Sequence, residues 1–77
     1  MQLHNDRALD LSGLTCPMPL LKAKQALNRM PVGQVLMVTA TDPASERDFQ
    51  VFSQQSGIRL LLTEKTAGKF VYWLQKP

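Results

Sequence analysis

Prolines and glycines divide this chain into short alternating segments, and this punctuation limits the folds that 77 residues can adopt. Residues 8–11 read as a strand and lead into the turn Ser12-Gly13. A helical pattern then opens at Pro17, because proline lacks the N–H that a first helical residue leaves unpaired. We predict a first helix over residues 17–30, followed by a strand over residues 34–41 that is rich in β-branched side chains.

The second half of the chain repeats this layout and then adds a hairpin. Asp42 suits an N-cap, and Pro43 suits the first position of a second helix. Phe49 and Phe52 give that helix an apolar stripe, and Gly57 is expected to end it. Residues 58–63 and 69–75 read as strands, and the loop over residues 64–68 suits a hairpin.

The predicted element order is β-α-β-α-β-β, which indicates an α/β fold with a four-stranded mixed sheet. Right-handed crossovers make the first two strands parallel, so both helices begin at the same edge of the sheet. Cys16 and Asp42 are then expected to face one another across that edge. Two helices can cover only one face of four strands. The last strand carries apolar side chains on both faces, which leaves one face for solvent or for a partner that docks on Tyr72 or Trp73.

Cysteine occurs once, at Cys16, directly before Pro17 and close to Pro19. The pattern places Cys16 at the N-cap of the first helix, where the helix dipole is expected to lower the pKa of a thiol. The two prolines lack N–H groups, so the amide of Met18 is expected to be a main donor near the sulfur. Two interpretations remain open, namely a reactive thiol and a small buried side chain.

Length and composition predict one small domain over residues 1–77, with residues 1–7 as a mobile tail. A single cysteine excludes an internal disulfide and fits a reducing compartment. The N-terminus resembles neither a signal peptide nor a membrane anchor, so the sequence predicts a cytoplasmic protein. The one histidine, His4, falls in the tail, which argues against a fixed Cys-His pair and against a zinc site.

The net charge of +3 is unevenly distributed. No acidic residue lies between Leu11 and Thr41, whereas Lys22, Lys24 and Arg29 all fall in this stretch. These cations predict either a solvated helix face or a docking surface for an acidic partner or RNA. Arginine-rich tracts and aromatics interleaved with the cations are missing from the stretch, so direct nucleic-acid binding is not favoured.

Residues 9–19, which read Leu-Asp-Leu-Ser-Gly-Leu-Thr-Cys-Pro-Met-Pro, resemble the TusA/SirA-like sulfur-carrier family. Val32-Gly33 and Thr41-Asp42-Pro43 with Asp48 extend the resemblance over almost the whole chain. It implies a two-layer α/β sandwich with both helices on one face. It also implies that Cys16 carries sulfur as a persulfide, received from a cysteine desulfurase or rhodanese-type donor and relayed to an acceptor protein. The residues expected to shape the site are Gly13, Leu14, Pro17, Met18, Pro19, Asp42 and Pro43.

The chain departs at three positions from the pattern of the family that it resembles. Ser53 stands where many relatives have a second cysteine, and Ile58 stands where they have a histidine. Met18 replaces an acidic residue often found in carriers that serve tRNA thiolation. The resemblance also implies molybdenum-cofactor maturation and sulfur oxidation as destinations, and the sequence does not choose among the three.

Two alternative functions follow from the same residues. In the first, the chain is a regulatory or binding module that docks protein or RNA through the basic first helix, and Cys16 is only a cap. In the second, Cys16 is a redox sensor that forms a reversible mixed disulfide or sulfenic acid. A carrier needs no cofactor besides the sulfur held covalently on Cys16, because persulfide exchange requires little acid–base machinery.

Overall fold

A computed structural model describes residues 4–77 of the chain as four strands and two helices. In chain order the elements are β1 (Arg7–Leu11), α1 (Met18–Asn28), β2 (Val35–Ala40), α2 (Ser45–Ser56), β3 (Arg59–Thr66) and β4 (Lys69–Gln75). This confirms the predicted element order.

The four strands form one mixed sheet in the order β1-β2-β4-β3. β1 pairs in parallel with β2, so that Leu9 lies opposite Val38, and β4 pairs antiparallel with both β2 and β3. The predicted parallel pair and the predicted hairpin are therefore confirmed. The parallel pair places the C-terminal ends of β1 and β2 at the same edge of the sheet, where each chain segment turns toward its helix.

Both helices pack on one face of the sheet, as predicted, and this face holds the core. Phe49 of α2 lies on Tyr72 of β4, with ring centroids 4.6 Å apart, and both side chains are fully buried. Ala23 and Leu27 form the buried stripe of α1, at the helical spacing seen in the sequence. Trp73 alternates with Tyr72 and so faces away from the helices, yet it is only 2% exposed. The prediction that Tyr72 or Trp73 presents a docking surface is wrong, because both side chains are buried.

The two helices start later than predicted, α1 by one residue and α2 by two. The amide of Met18 donates to the carbonyl of Thr15, so residues 15–18 form a turn that leads into α1. Pro17 is the N-cap and Cys16 precedes it, which corrects the prediction that Cys16 caps the helix. In the same way, the amide of Ser45 donates to the carbonyl of Asp42, and Ala44 is the N-cap of α2. Asp42 is therefore not a cap, and Pro43 lies outside the helix.

The ends of the elements also differ from the prediction. α1 stops at Asn28 because the amides of Arg29 and Met30 bond three residues back, as in a tighter 3₁₀ turn. β3 extends to Thr66, so the hairpin loop contains only Ala67 and Gly68, both with positive φ, as a two-residue turn requires. Gly57 ends α2 in a left-handed conformation, as predicted.

The sequence predicted that residues 1–7 form a mobile tail, but the last two of these residues are held by the sheet. The amide of Asp6 donates to the carbonyl of Val35, and the Asp6 carboxylate accepts from the amide of Val35, each at 2.8 Å. Arg7 already belongs to β1. These bonds extend the sheet by one residue toward the N-terminus. The part of that prediction that concerns residues 1–3 lies outside the described residues.

Within residues 4–77, neither helix has the length and apolar character required to cross a membrane.

Candidate functional site

Cys16 lies in the connection between β1 and α1, at the sheet edge where β1 and β2 end, and its side chain is exposed. Hydrogen bonds to the neighbouring connection fix this segment. The amide of Gly13 donates to Thr41 Oγ1 at 2.9 Å, and the amide of Leu14 donates to the carbonyl of Leu11. The side chain of Leu14 packs against the core. The segment that carries the sulfur is thus held between the core and the end of β2.

The amide of Cys16 donates to Asp42 Oδ2 at 2.9 Å. The two residues come together because β1 and β2 are parallel and end at the same edge, so the prediction that they face one another is confirmed. The carboxylate of Asp42 does not satisfy the start of its own helix. It satisfies the backbone of the residue that carries the thiol, which limits how far Cys16 can move.

The thiol of Cys16 has a second acidic neighbour, Asp48. The Sγ–H group donates to Asp48 Oδ2 at 3.0 Å, and Asp48 lies in the first turn of α2. Asp48 is part of the sequence pattern that resembles the family, but the sequence predicted no role for it. A signal was present, because the predicted parallel layout places the first turn of the second helix beside the first helix start, and Asp48 lies in that turn.

The two carboxylates act on the pKa of the Cys16 thiol in the direction opposite to the prediction. The hydrogen bond to Asp48, the partial loss of water around the sulfur, and the negative charges of Asp48 and Asp42 raise the pKa of the Cys16 thiol above its usual value. The prediction of a lowered thiol pKa is wrong for two reasons. Cys16 lies before the N-cap, and the carboxylates that surround it come from 26 and 32 residues further along the chain.

The residues after Cys16 shape the site as a rigid turn. The amide of Met18 donates to the carbonyl of Thr15 at 2.9 Å, so it is not a free donor for the sulfur, contrary to the prediction. Pro19 is buried and anchors the start of α1, whereas the side chain of Met18 is 39% exposed. Exposed Pro17 and Pro43 precede α1 and α2 respectively. The predicted site residues therefore lie around one sheet edge.

The structure separates the three predicted docking cations of α1. Lys22 and Arg29 line a groove of about 200 Å³ between α1 and β1, together with Arg7. The groove is also lined by apolar side chains, which include Leu9 and Leu11. Lys24 lies elsewhere, with its ammonium group 5.2 Å from the centre of the Phe52 ring on α2. The sequence missed Arg7 as a member of this basic surface, because it lies on a different element.

Among the described residues, neither the histidine side chain nor a cluster of metal-binding side chains lies at this site. The side chain of His4 is 82% exposed and contacts Asp6 rather than Cys16. Within residues 4–77, His, Cys, Asp and Glu side chains do not gather in any group of three that could hold a metal ion. The chemistry at this edge of the sheet therefore depends on one thiol and two carboxylates.

The chain is thus a small two-layer α/β sandwich that presents one exposed thiol at its sheet edge. The chain belongs to the TusA family, described as Sulfurtransferase TusA, whose sequence pattern matches residues 7–76. This confirms the resemblance found in the sequence.

Two sequence relatives and one solved structure support the assignment to this family. The chain is 49% identical to the sulfur carrier protein TusA of Allochromatium vinosum, over 92% of this chain and 93% of the relative. It is 39% identical to the sulfur carrier protein TusA of Pseudomonas putida strain GB-1, over 92% of this chain and 89% of the relative. A SirA-like protein from Desulfitobacterium hafniense superposes with a TM-score of 0.77 at 26% identity, over 90% of this chain and 95% of that one. These relatives support a sulfur-carrier role, and the solved structure confirms the fold.

Proposed function

We propose that this protein carries sulfane sulfur as a persulfide on Cys16, receiving it from a donor protein and relaying it to an acceptor protein. The observation that carries the proposal is the exposed thiol at the sheet edge of a chain from a sulfur-carrier family. Cys16 is also the only cysteine in the sequence, so a sulfur relay through this chain has one available thiol.

Loading is a thiol exchange that needs no other reactant. The Cys16 sulfur attacks the outer sulfur of a donor persulfide, a new sulfur–sulfur bond forms, and the sulfur–sulfur bond of the donor breaks. The inner sulfur of the donor leaves as a thiolate and takes up the proton that Cys16 lost. Unloading is the same exchange with an acceptor thiolate as the attacking group. The donor is a cysteine desulfurase or a rhodanese-type protein, as the resemblance implies.

The first test of this function is whether wild-type protein gains sulfur on Cys16. We expect intact-mass spectrometry, after incubation with a cysteine desulfurase and free cysteine and without reductant, to show the addition of one sulfur atom. A thiol reductant should remove this addition. Protein whose Cys16 has first been alkylated is the matched control and should gain nothing. If desulfurase and rhodanese donors both leave the folded, free-thiol protein unmodified, the binding-module alternative replaces the carrier function.

We further propose that partner proteins dock on the groove between α1 and β1. The groove combines the cations of Arg7, Lys22 and Arg29 with apolar lining side chains, which suits an acidic and partly apolar protein segment. Its lining contains no aromatic side chain on which a nucleobase would stack, so a protein partner fits better than RNA.

Reversing one charge in the groove tests this docking surface. We expect Lys22→Glu to slow loading by a desulfurase about threefold at low ionic strength, with the difference shrinking as salt rises, because exposed charges mainly steer encounter. Arg59→Glu is the matched control, since Arg59 is exposed on β3 at the opposite edge of the sheet. Stopped-flow or quenched mass measurements give the rates. Equal rates for both variants at every salt concentration would remove the groove from the proposal.

The acceptor that takes sulfur from loaded Cys16 defines the pathway. The destinations implied by the resemblance are tRNA thiolation, molybdenum-cofactor maturation and sulfur oxidation. The cytoplasmic location and the redox-sensor alternative stay predictions from the sequence.

A further inference from the structure

Two carboxylates lie beside Cys16, and neither forms an ion pair with a cation in the part of the chain that the structure describes. The Cys16 thiol donates a hydrogen bond to Asp48 Oδ2 at 3.0 Å, and the amide of Cys16 donates one to Asp42 Oδ2 at 2.9 Å. Among residues 4–77, Lys65 pairs with Glu46 and the His4 ring contacts Asp6, so these contacts include neither Asp42 nor Asp48. The nucleophile of a chain with net charge +3 therefore lies in a locally negative environment.

The neighbouring charges do not offset these carboxylates. Lys22, the first lysine of α1, lines the groove toward β1. Glu46, also in the first turn of α2, pairs with Lys65 of β3 at 2.8 Å. The charges that act on the thiol are those of Asp48 and Asp42, and both oppose the loss of its proton. Forming a thiolate here gathers three negative charges in one small region, which is unfavourable unless a positive charge arrives from outside.

We propose that Asp48, assisted by Asp42, makes Cys16 select sulfur that is presented beside a positive charge. A cationic group next to the incoming sulfur is attracted by both carboxylates and offsets the charge that develops on the attacking sulfur. An anionic group in the same place is repelled. This inference rests on the proposed function in one respect: it describes the chemistry of the partner that presents sulfur to Cys16, namely a sulfur with a lysine, arginine or protonated amine beside it.

The selectivity is measured with three small symmetric disulfides that differ in charge: cystamine, bis(2-hydroxyethyl) disulfide and dithiodiglycolate. In each exchange the Cys16 sulfur forms a bond to one reagent sulfur, the reagent's own sulfur–sulfur bond breaks, and the released half takes up the proton. Each rate is divided by the rate of the same reagent with 2-mercaptoethanol, which removes differences in leaving-group chemistry. The normalised rate is expected to fall from the cationic to the neutral to the anionic reagent. At low ionic strength the full spread should be about tenfold, and added salt should reduce it.

Two variants assign the selectivity to the carboxylates. Asp48→Asn keeps the size and an acceptor oxygen, and we expect it to reduce the spread to about threefold by removing one of the two charges. Glu64→Gln is the matched control, since it removes one negative charge from β3 at the sheet edge opposite β1 and should keep the full spread. If Asp48→Asn does not fold, Asp42→Asn and the salt dependence of the wild type provide the same test.

A second readout separates an electrostatic role from a purely structural one. The rate of iodoacetamide alkylation rises with pH as the thiolate forms, and we expect the midpoint of this profile to move to lower pH in Asp48→Asn. The sign follows from the pKa of Cys16, which Asp48 raises in the wild type. A wild-type rate that is independent of reagent charge, or a spread that Asp48→Asn leaves unchanged, would overturn the inference. The disulfide assay uses the free thiol of Cys16 and no sulfur donor, so its outcome does not depend on whether the protein can be loaded, and failure of the carrier function and failure of this selectivity are distinguishable.

Discussion

We expect Cys16→Ser to abolish sulfur loading completely while leaving the fold intact. A serine hydroxyl cannot form the sulfur–sulfur bond on which the exchange depends, and the sequence contains no other cysteine to replace it. The fold should survive because the side chain is exposed and the amide of residue 16 still bonds to Asp42. The hydroxyl can also donate to Asp48. This variant therefore removes the chemistry and keeps the surface on which a partner docks.

The measurement is intact-mass spectrometry after incubation with a desulfurase and cysteine, with far-UV circular dichroism to confirm folding. Thr15→Ser is the matched control, since Thr15 is the exposed neighbour of Cys16 and should load like the wild type. Binding of Cys16→Ser to the donor is measured in parallel. A sulfur adduct on folded Cys16→Ser would show that the carried sulfur is not on Cys16. Unchanged binding together with lost loading would separate the carrier function from the binding-module alternative.

We expect Phe49→Ala to produce the largest loss of stability of any single substitution proposed for this chain. Phe49 is fully buried, its ring lies 4.6 Å from that of Tyr72, and it fixes α2 to the centre of the sheet. Removing a buried phenylalanine ring lowers the free energy of unfolding by about 3–5 kcal/mol, because apolar contacts are lost and a cavity remains. A small domain has roughly 5–15 kcal/mol in total, so the loss is a large fraction of the whole.

Denaturant unfolding followed by circular dichroism measures this difference. Val51→Ala on the same helix is the matched control, because Val51 is 41% exposed and its truncation should change the free energy of unfolding by about 0.5 kcal/mol or less. Phe49 and Val51 lie close together on α2, so the main difference between the two variants is how deeply the removed side chain was buried. A change below about 1 kcal/mol for Phe49→Ala would contradict the central place of this ring in the core.

The element order was readable from the sequence because it rests on local signals. Gly57 ends α2 where the pattern placed it, and Lys69–Gln75 is the strand that the alternation predicted. Helix starts were less predictable. Cys16 and Asp42 both have suitable neighbours for a cap position, yet each belongs to a turn that precedes its helix. The turn and the cap use the same residue types, so local preference does not decide between them.

The electrostatics of the site were predicted with the wrong sign for a related reason. A helix start is a short-range feature, and its expected effect on a thiol follows from residues that are adjacent in sequence. Asp48 acts on Cys16 from 32 residues away, through a hydrogen bond that exists only when α2 packs beside the start of α1. Sequence spacing carries no direct signal for such a contact, and only the parallel layout of β1 and β2 hinted at it.

The sequence alone determined the α/β class, the parallel pair, the family and the single thiol, because each depends on local pattern or on a motif around Cys16. The tertiary structure decided which groups surround that thiol. It brought Asp42 and Asp48 to Cys16, and it divided the basic helix into a groove with Arg7 and a separate contact between Lys24 and Phe52. The physical reason is that charge and hydrogen bonding act over a few ångströms in space, whatever the separation along the chain.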